Sequence, residues 1–116
     1  MNFAAIVRAV ARRARLRGAR ARRCREADRE HARSARQFCH VGHRRSTVCY
    51  ARATARLAAA WKWGLAVHEI GHLLAGAPGM RRRHTEADAQ RAGKRATGIG
   101  VSYRGPLRLE WSRPPR

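Results

Sequence analysis

Three side chains that can bind and use a metal ion lie close together in the sequence: His68, Glu69 and His72, with the spacing His-Glu-x-x-His. Residues four apart on an α-helix project from the same face, so the two imidazoles can bind one Zn²⁺. The carboxylate of Glu69 then lies near the open coordination position, where it can take a proton from water and pass it to a leaving amine. The pattern therefore predicts two zinc ligands and a general base suited to peptide-bond hydrolysis.

A catalytic zinc ion usually has three protein ligands, so the two histidines need a partner from elsewhere in the chain. His84 follows the motif after a Pro-Gly pair that can fold the chain back, and Glu86 comes two residues later. Imidazole and carboxylate groups both bind zinc. We therefore take His84 as the preferred third ligand and Glu86 as the alternative, and we leave open that neither of them binds.

Residues 66–74, with the sequence AVHEIGHLL, resemble the active-site helix of the matrixin-type metallopeptidases, which are metzincins. The resemblance implies a zinc-dependent endopeptidase that acts on peptide or protein substrates outside the cell. In such an enzyme His68 and His72 bind the metal and Glu69 is the catalytic base. The resemblance also implies a twisted sheet before the helix, which forms the substrate cleft, but the residues before Leu65 show no pattern of five strands.

The resemblance ends after Leu74. The matrixin motif continues as H-E-x-x-H-x-x-G-x-x-H, whereas Ala75 occupies the glycine position here and Pro78 occupies that of the third histidine. Glutamate zincins take their third ligand from a second helix, commonly with an aspartate four residues later, and Gln90 stands at that position after Glu86. The resemblance therefore implies a degenerate or truncated relative with weak or no activity.

One long helix is expected to carry the motif, within a middle segment that spans residues 47–77. Ser46 or Thr47 can cap its first turn, and the helix is predicted to run through residues 51–74. Gly76 and the proline that follows end it. Its apolar stretch has the length of a membrane span but contains charged and imidazole side chains, which are costly in lipid, so we predict no membrane span.

The first segment, residues 1–46, is rich in arginine, and residues 1–23 contain no acidic side chain. Apolar residues recur at helical spacing near its start, which predicts a basic amphipathic helix. We favour a solvated arginine-rich helix or coil; as a targeting signal, this segment resembles an organelle transit peptide more than a secretory signal. Residues 26–45 are polar and broken by a glycine, so we expect a frayed helix that passes into a loop, without a sizeable strand.

The last segment, residues 78–116, begins with a basic loop. Residues 85–96 are predicted to form a short polar helix. Apolar residues then alternate with polar or small ones in residues 99–103 and again in residues 107–111. The turn sequence Arg-Gly-Pro at 104–106 lies between them, so the pattern predicts a small β-hairpin.

Composition limits what this 116-residue chain can build. Its 27 Lys and Arg residues and 7 Asp and Glu residues give a formal net charge of +20, and only 18 residues are Leu, Ile, Val or Phe. Such a chain buries little apolar surface to offset the loss of backbone entropy on folding. We therefore predict a mainly α fold, with one long motif-bearing helix and disorder in much of the rest.

Three functional hypotheses remain open from the sequence. The first is a zinc-dependent metallopeptidase-like protein with weak or no activity. The second is a basic polypeptide that binds nucleic acid or other polyanions without sequence specificity, through its net charge. The third is a reading frame without a selected function, because arginine and alanine, which dominate the chain, share GC-rich codons. The oligomeric state and the substrate stay open.

Overall fold

The computed structural model describes residues 2–23, 39–42, 47–50, 52–76, 86–102 and 108–111. This part of the chain is mainly helical, as predicted. Its helices are α1 (Phe3–Arg13), a 3₁₀ helix (Arg52–Arg56), α2 (Ala59–Ala75) and α3 (Glu86–Thr97). Its strands are β1 (Arg20–Arg23), β2 (Cys39–Gly42), β3 (Thr47–Tyr50), β4 (Ile99–Ser102) and β5 (Arg108–Trp111). The prediction of disorder concerns stretches that lie mostly outside these residues.

Helix α1 begins at an asparagine cap and buries one apolar face. The side chain of Asn2 accepts a hydrogen bond from the amide of Ala5 at 2.8 Å, which satisfies a donor of the first turn. The buried residues are Phe3, Ile6, Val7, Val10 and Ala11. They belong to one core cluster with side chains of α2, and each large one gains about 1.5–3 kcal/mol from burial. The helix is therefore confirmed, and Arg8 and Arg12 on it are exposed, but its apolar face is buried in the core and not solvated.

The end of α1 contains a left-handed residue that is not glycine. Arg15 has a φ of 57°. Its amide donates to the carbonyl of Arg12 at 3.0 Å, and the amide of Leu16 donates to that of Ala11 at 2.9 Å. This pair of hydrogen bonds is a Schellman motif, in which glycine is the usual left-handed residue. A side chain in that conformation costs roughly 1–2 kcal/mol.

Three short strands precede α2 and form one sheet in the order β1-β3-β2. Strand β1 is parallel to β3, with Ala21 opposite Val48, and β2 is antiparallel to β3, with Val41 opposite Val48. No sizeable strand was predicted in residues 26–45, where a loop was expected; the described part of this segment forms the four-residue strand β2. A strand of four residues shows no clear periodicity, and its ladder hydrogen bonds come from a partner elsewhere in the chain.

The motif-bearing helix begins later than predicted. Thr47, expected as a helix cap, is the first residue of β3, and α2 starts at Ala59, while Ser46 lies outside the described residues. Thr47, Val48 and Cys49 are buried. Their β-branched and small side chains fit a buried strand, and this packing outweighs the capping signal. Helix α2 is still the longest described helix and contains the whole His-Glu-x-x-His, as predicted.

The C-terminal elements follow the sequence pattern. Helix α3 starts and ends within one residue of the predicted 85–96, and Gly98, with a φ of 74°, follows its last residue. Strands β4 and β5 form the predicted antiparallel hairpin, with Val101 opposite Leu109. The predicted turn at 104–106 lies outside the described part. Of the described helices, none combines the length and the apolar character needed to cross a membrane.

Candidate metal centre

Helices α2 and α3 bring three metal-binding side chains together. The Nε2 atoms of His68 and His72 lie 3.1 Å apart. Oε2 of Glu86 lies 2.5 Å from the first of these nitrogens and 2.8 Å from the second. The side chains of His68 and His72 are mostly buried, whereas that of Glu86 is 77% exposed. Among the described residues, these three form a group that could hold a metal ion.

Both ring nitrogens of His68 face side-chain oxygens that act as hydrogen-bond acceptors. Oε1 of Gln90 lies 2.9 Å from Nδ1 of His68 and accepts its hydrogen. Oε2 of Glu86, which faces Nε2, is an acceptor as well. Nε2 therefore carries either a proton, which forms a hydrogen bond to the carboxylate, or a lone pair that can bind a metal cation. The arrangement therefore has the character of a cation site.

The donor set fits a zinc ion. Two imidazoles and one carboxylate match the three protein ligands of a catalytic zinc site, which leaves a fourth position for water or substrate. Ligand atoms 2.0–2.1 Å from a tetrahedral zinc are about 3.3 Å apart. The observed separations of 2.5, 2.8 and 3.1 Å would therefore widen by less than about 1 Å each. The exposed side chain of Glu86 has room for this adjustment.

The carboxyl group of Glu86 is held in its ionised form. Desolvation raises its pKa, but side-chain hydrogen bonds to His68 and His72 and the charges of these histidines outweigh that effect, so the pKa lies below its usual value. Glu86 is also the first residue of α3, where the positive end of the helix dipole favours a carboxylate. The ionised form is the one that binds metals.

Close packing of α2 against α3 produces this geometry. A Cβ on Gly71 would lie 1.9 Å from the backbone oxygen of Ala89, and a Cβ on Gly93 would lie 2.5 Å from that of Val67. Both distances are shorter than any normal contact, so only glycine fits at these two positions. Gly71 stands between the two motif histidines, and Ala89 follows Glu86 by one helical turn. The crossing therefore determines whether the carboxylate reaches the histidines.

Gln90, for which no role was predicted from the sequence, contacts the candidate metal centre. Its hydrogen bond with Nδ1 of His68 fixes the tautomer whose Nε2 faces the metal-binding group. The signal was its position four residues after Glu86, which places both side chains on one face of α3. An amide oxygen accepts the same hydrogen bond as the aspartate common in glutamate zincins, but it carries no charge.

We expect Gln90→Ala to weaken zinc binding by about 10- to 100-fold, because the ring of His68 loses the partner that orients it. Competition with a chromophoric chelator measures the affinity. Gln90→Glu is the matched control, since a carboxylate keeps the acceptor and should preserve or strengthen binding. Equal affinities for Gln90→Ala and the parent would show that the hydrogen bond does not orient the ligand.

The expected base, Glu69, is buried in α2 next to His68. The residue as a whole is 7% exposed. Desolvation raises its pKa from 4.5 to about 7; the charge of His68 lowers it, and that of Glu86 raises it. No arginine of the described part of the chain forms an ion pair with it. A pKa near neutrality suits a group that must accept and then release a proton.

The raised pKa of Glu69 predicts a pH-dependent stability difference. Below about pH 4.5 the carboxyl group is protonated in both the folded and unfolded chains, and ionising it in the folded chain becomes costly as the pH rises towards 7. In metal-free protein, Glu69→Gln should therefore be as stable as the parent at pH 4.5 and more stable above pH 7, by at most about 3 kcal/mol. Urea unfolding across this range, in the presence of a chelator, is the measurement. If the stability difference between Glu69→Gln and the parent does not grow with pH, the raised pKa of Glu69 is contradicted.

The two candidates for the third ligand have different outcomes. His84, which the sequence favoured, lies outside the described residues. Glu86, the alternative, lies beside both motif histidines.

No known protein family, curated protein or solved structure matches the chain. The site is therefore interpreted from its own residues and geometry.

Proposed function

We propose that the chain is a zinc-dependent metallopeptidase-like protein with weak activity, in which His68, His72 and Glu86 bind Zn²⁺ and Glu69 is the general base. One observation carries the proposal: three potential ligand atoms from two helices converge to within 3.1 Å of one another, next to a buried carboxyl group whose pKa is about 7. An ordinary pair of surface helices has no need of either feature.

Each side chain has a defined task in peptide hydrolysis. Zinc, when bound, supplies a Lewis acid that polarises the scissile carbonyl group. Glu69 accepts a proton from the attacking water on its carboxylate and later donates that proton to the leaving nitrogen. Gln90 keeps the proton of His68 on Nδ1, so that Nε2 is available as a ligand. The ionised carboxylate of Glu86 completes the set.

Weak activity is expected because the support for a substrate is small. The sheet that precedes α2 has three strands of four residues each in the described part of the chain. Such a sheet presents a short edge on which a peptide could be aligned. Alignment of the reacting groups can supply about 7–11 kcal/mol of the reduction in the barrier, so a loosely held peptide reacts slowly.

Two glutamate-to-glutamine variants of the same site test the proposal. Glu69→Gln should retain zinc and lose about 10²- to 10⁴-fold in cleavage rate, because an amide keeps the shape but cannot accept the proton. Glu86→Gln should lose both zinc and cleavage, because the amide lacks the charge of the ligand. Zinc content and cleavage of a general peptide library are measured for both variants and the parent. Cleavage that survives Glu69→Gln or a chelator would refute the proposed mechanism.

A further inference from the structure

A concave site lies at the end of α1. Its volume is about 640 Å³, which is within the range of small-ligand sites. None of its lining residues belongs to α2 or α3, so it is separate from the candidate metal centre. Half of its lining residues are arginines: Arg8, Arg12, Arg15 and Arg17. We refer to it as the arginine cavity.

The helix and the turn that follows it build the arginine cavity together. Arg8 and Arg12 are four residues apart, so they project from one face of α1, and Arg15 lies two residues beyond the end of that helix. The chain then reverses through left-handed residues, Arg15 with a φ of 57° and Gly18 with a φ of 75°. This reversal brings Arg17 to the same cavity.

No acidic residue in the described part of the chain neutralises the positive charge of the arginine cavity. Residues 1–23 contain no acidic side chain, and no described acidic residue forms an ion pair with any of the four arginines. All four are exposed. Guanidinium groups that line one concave surface repel one another, and a bound polyanion removes this repulsion.

The conformation of Arg15 is an independent indication of a ligand. Glycine is the usual residue at the left-handed position of a helix end, and the backbone of any residue with a side chain is strained there. Strain of this kind is concentrated at functional sites, because the surrounding structure holds the residue where it acts. Here the residue with the strained backbone, Arg15, is itself one of the residues that line the arginine cavity.

We propose that the arginine cavity binds a short oligophosphate chain, either free or as the triphosphate of a nucleotide. Guanidinium groups bind phosphate oxygens through two parallel N–H donors, so four arginines can hold several adjacent phosphates. The apolar part of the lining comes from alanines and Leu16, and no aromatic ring among the described residues lines the cavity. The arginine cavity therefore recognises the phosphates of the ligand and does not depend on base stacking.

Titration with inorganic tripolyphosphate tests this proposal, with zinc removed by a chelator so that the metal centre plays no part. We expect saturable binding at about 0.15 M salt, where the charge of the chain as a whole is largely screened. Arg8→Ala, Arg12→Ala and Arg15→Gly should each weaken binding about tenfold, since each removes a charge-assisted contact. Arg15→Gly should do so without lowering the melting temperature, because glycine relieves the backbone strain.

Arg56→Ala and Arg95→Ala are charge-matched controls, because both residues are exposed and neither lines the arginine cavity. They should weaken binding by less than about twofold. Equal losses in all five variants would overturn the proposal in favour of a general charge effect. Absence of saturable binding, or binding of a DNA duplex but not of tripolyphosphate, would overturn it as well. A nucleoside triphosphate titrated in parallel identifies the source: tighter binding than tripolyphosphate supports a nucleotide, and equal binding supports the free chain.

Discussion

Alanine in place of His68 or His72 is expected to lower the affinity for zinc by more than about a thousandfold. The candidate site has three side chains that could bind a metal ion, and two of them are these imidazoles. When one is removed, too few ligands remain to compensate for dehydration of the ion. Competition titration and the zinc content of purified protein both measure the effect. Retention of stoichiometric zinc after loss of both histidines would refute the site.

The same titration separates the two candidates for the third ligand. Glu86→Ala should weaken zinc binding by at least about a hundredfold, because its carboxylate oxygen lies within 2.8 Å of both histidine nitrogens. His84→Ala serves as the control and should change the affinity by less than about threefold, as expected for a residue that is not a ligand. The opposite order of effects would restore the ligand that the sequence favoured.

Gly71→Ala is expected to lower the free energy of unfolding more than any other substitution named above. The new Cβ would meet the backbone oxygen of Ala89 at 1.9 Å, so α2 and α3 must separate. At an unconstrained helix position this change stabilises a protein by about 1 kcal/mol, because alanine has the higher helix propensity. We expect a loss of about 3 kcal/mol or more instead, which is a large part of the stability of a small domain. Zinc binding should fail as well, because separation carries Glu86 away from the histidines.

A second substitution tests whether the contact with the backbone of Ala89 is the cause. Ala89→Gly removes only a side chain, so it should not rescue Gly71→Ala. Thermal and urea unfolding of the two single variants and the double variant provide the comparison. A Gly71→Ala protein that is as stable as the parent and binds zinc normally would show that the close crossing of α2 and α3 is not required.

The elements that were predicted correctly have a signal within their own sequence. Helix α1 has apolar residues at helical spacing, and strands β4 and β5 alternate on either side of a turn. The spacing of His68 and His72 works in the same way, because residues four apart on a helix meet regardless of the rest of the fold. Local periodicity was therefore sufficient for α1, for the hairpin and for the two motif histidines.

The elements that were missed depend on contacts between distant parts of the chain. Thr47 has a hydroxyl group suited to a helix cap, but pairing with β1 and β2 places it in a strand. The position of Glu86 depends on the crossing of α2 and α3, which Gly71 and Gly93 permit through contacts with the opposite backbone. Spacing along the chain contains no information about such contacts. For this reason the sequence could name Glu86 only as an alternative to His84.

The X-ray absorption spectrum of the protein loaded with one equivalent of zinc tests the central claim most directly. Two imidazoles and one carboxylate predict a first shell of nitrogen and oxygen atoms at about 2.0–2.1 Å, with the outer-shell scattering of two histidine rings. In Glu86→Ala the histidine scattering of any residual bound zinc should persist while an oxygen ligand is lost or replaced by water. A shell of sulfur atoms at about 2.3 Å, or a spectrum without histidine scattering, would contradict the proposed centre.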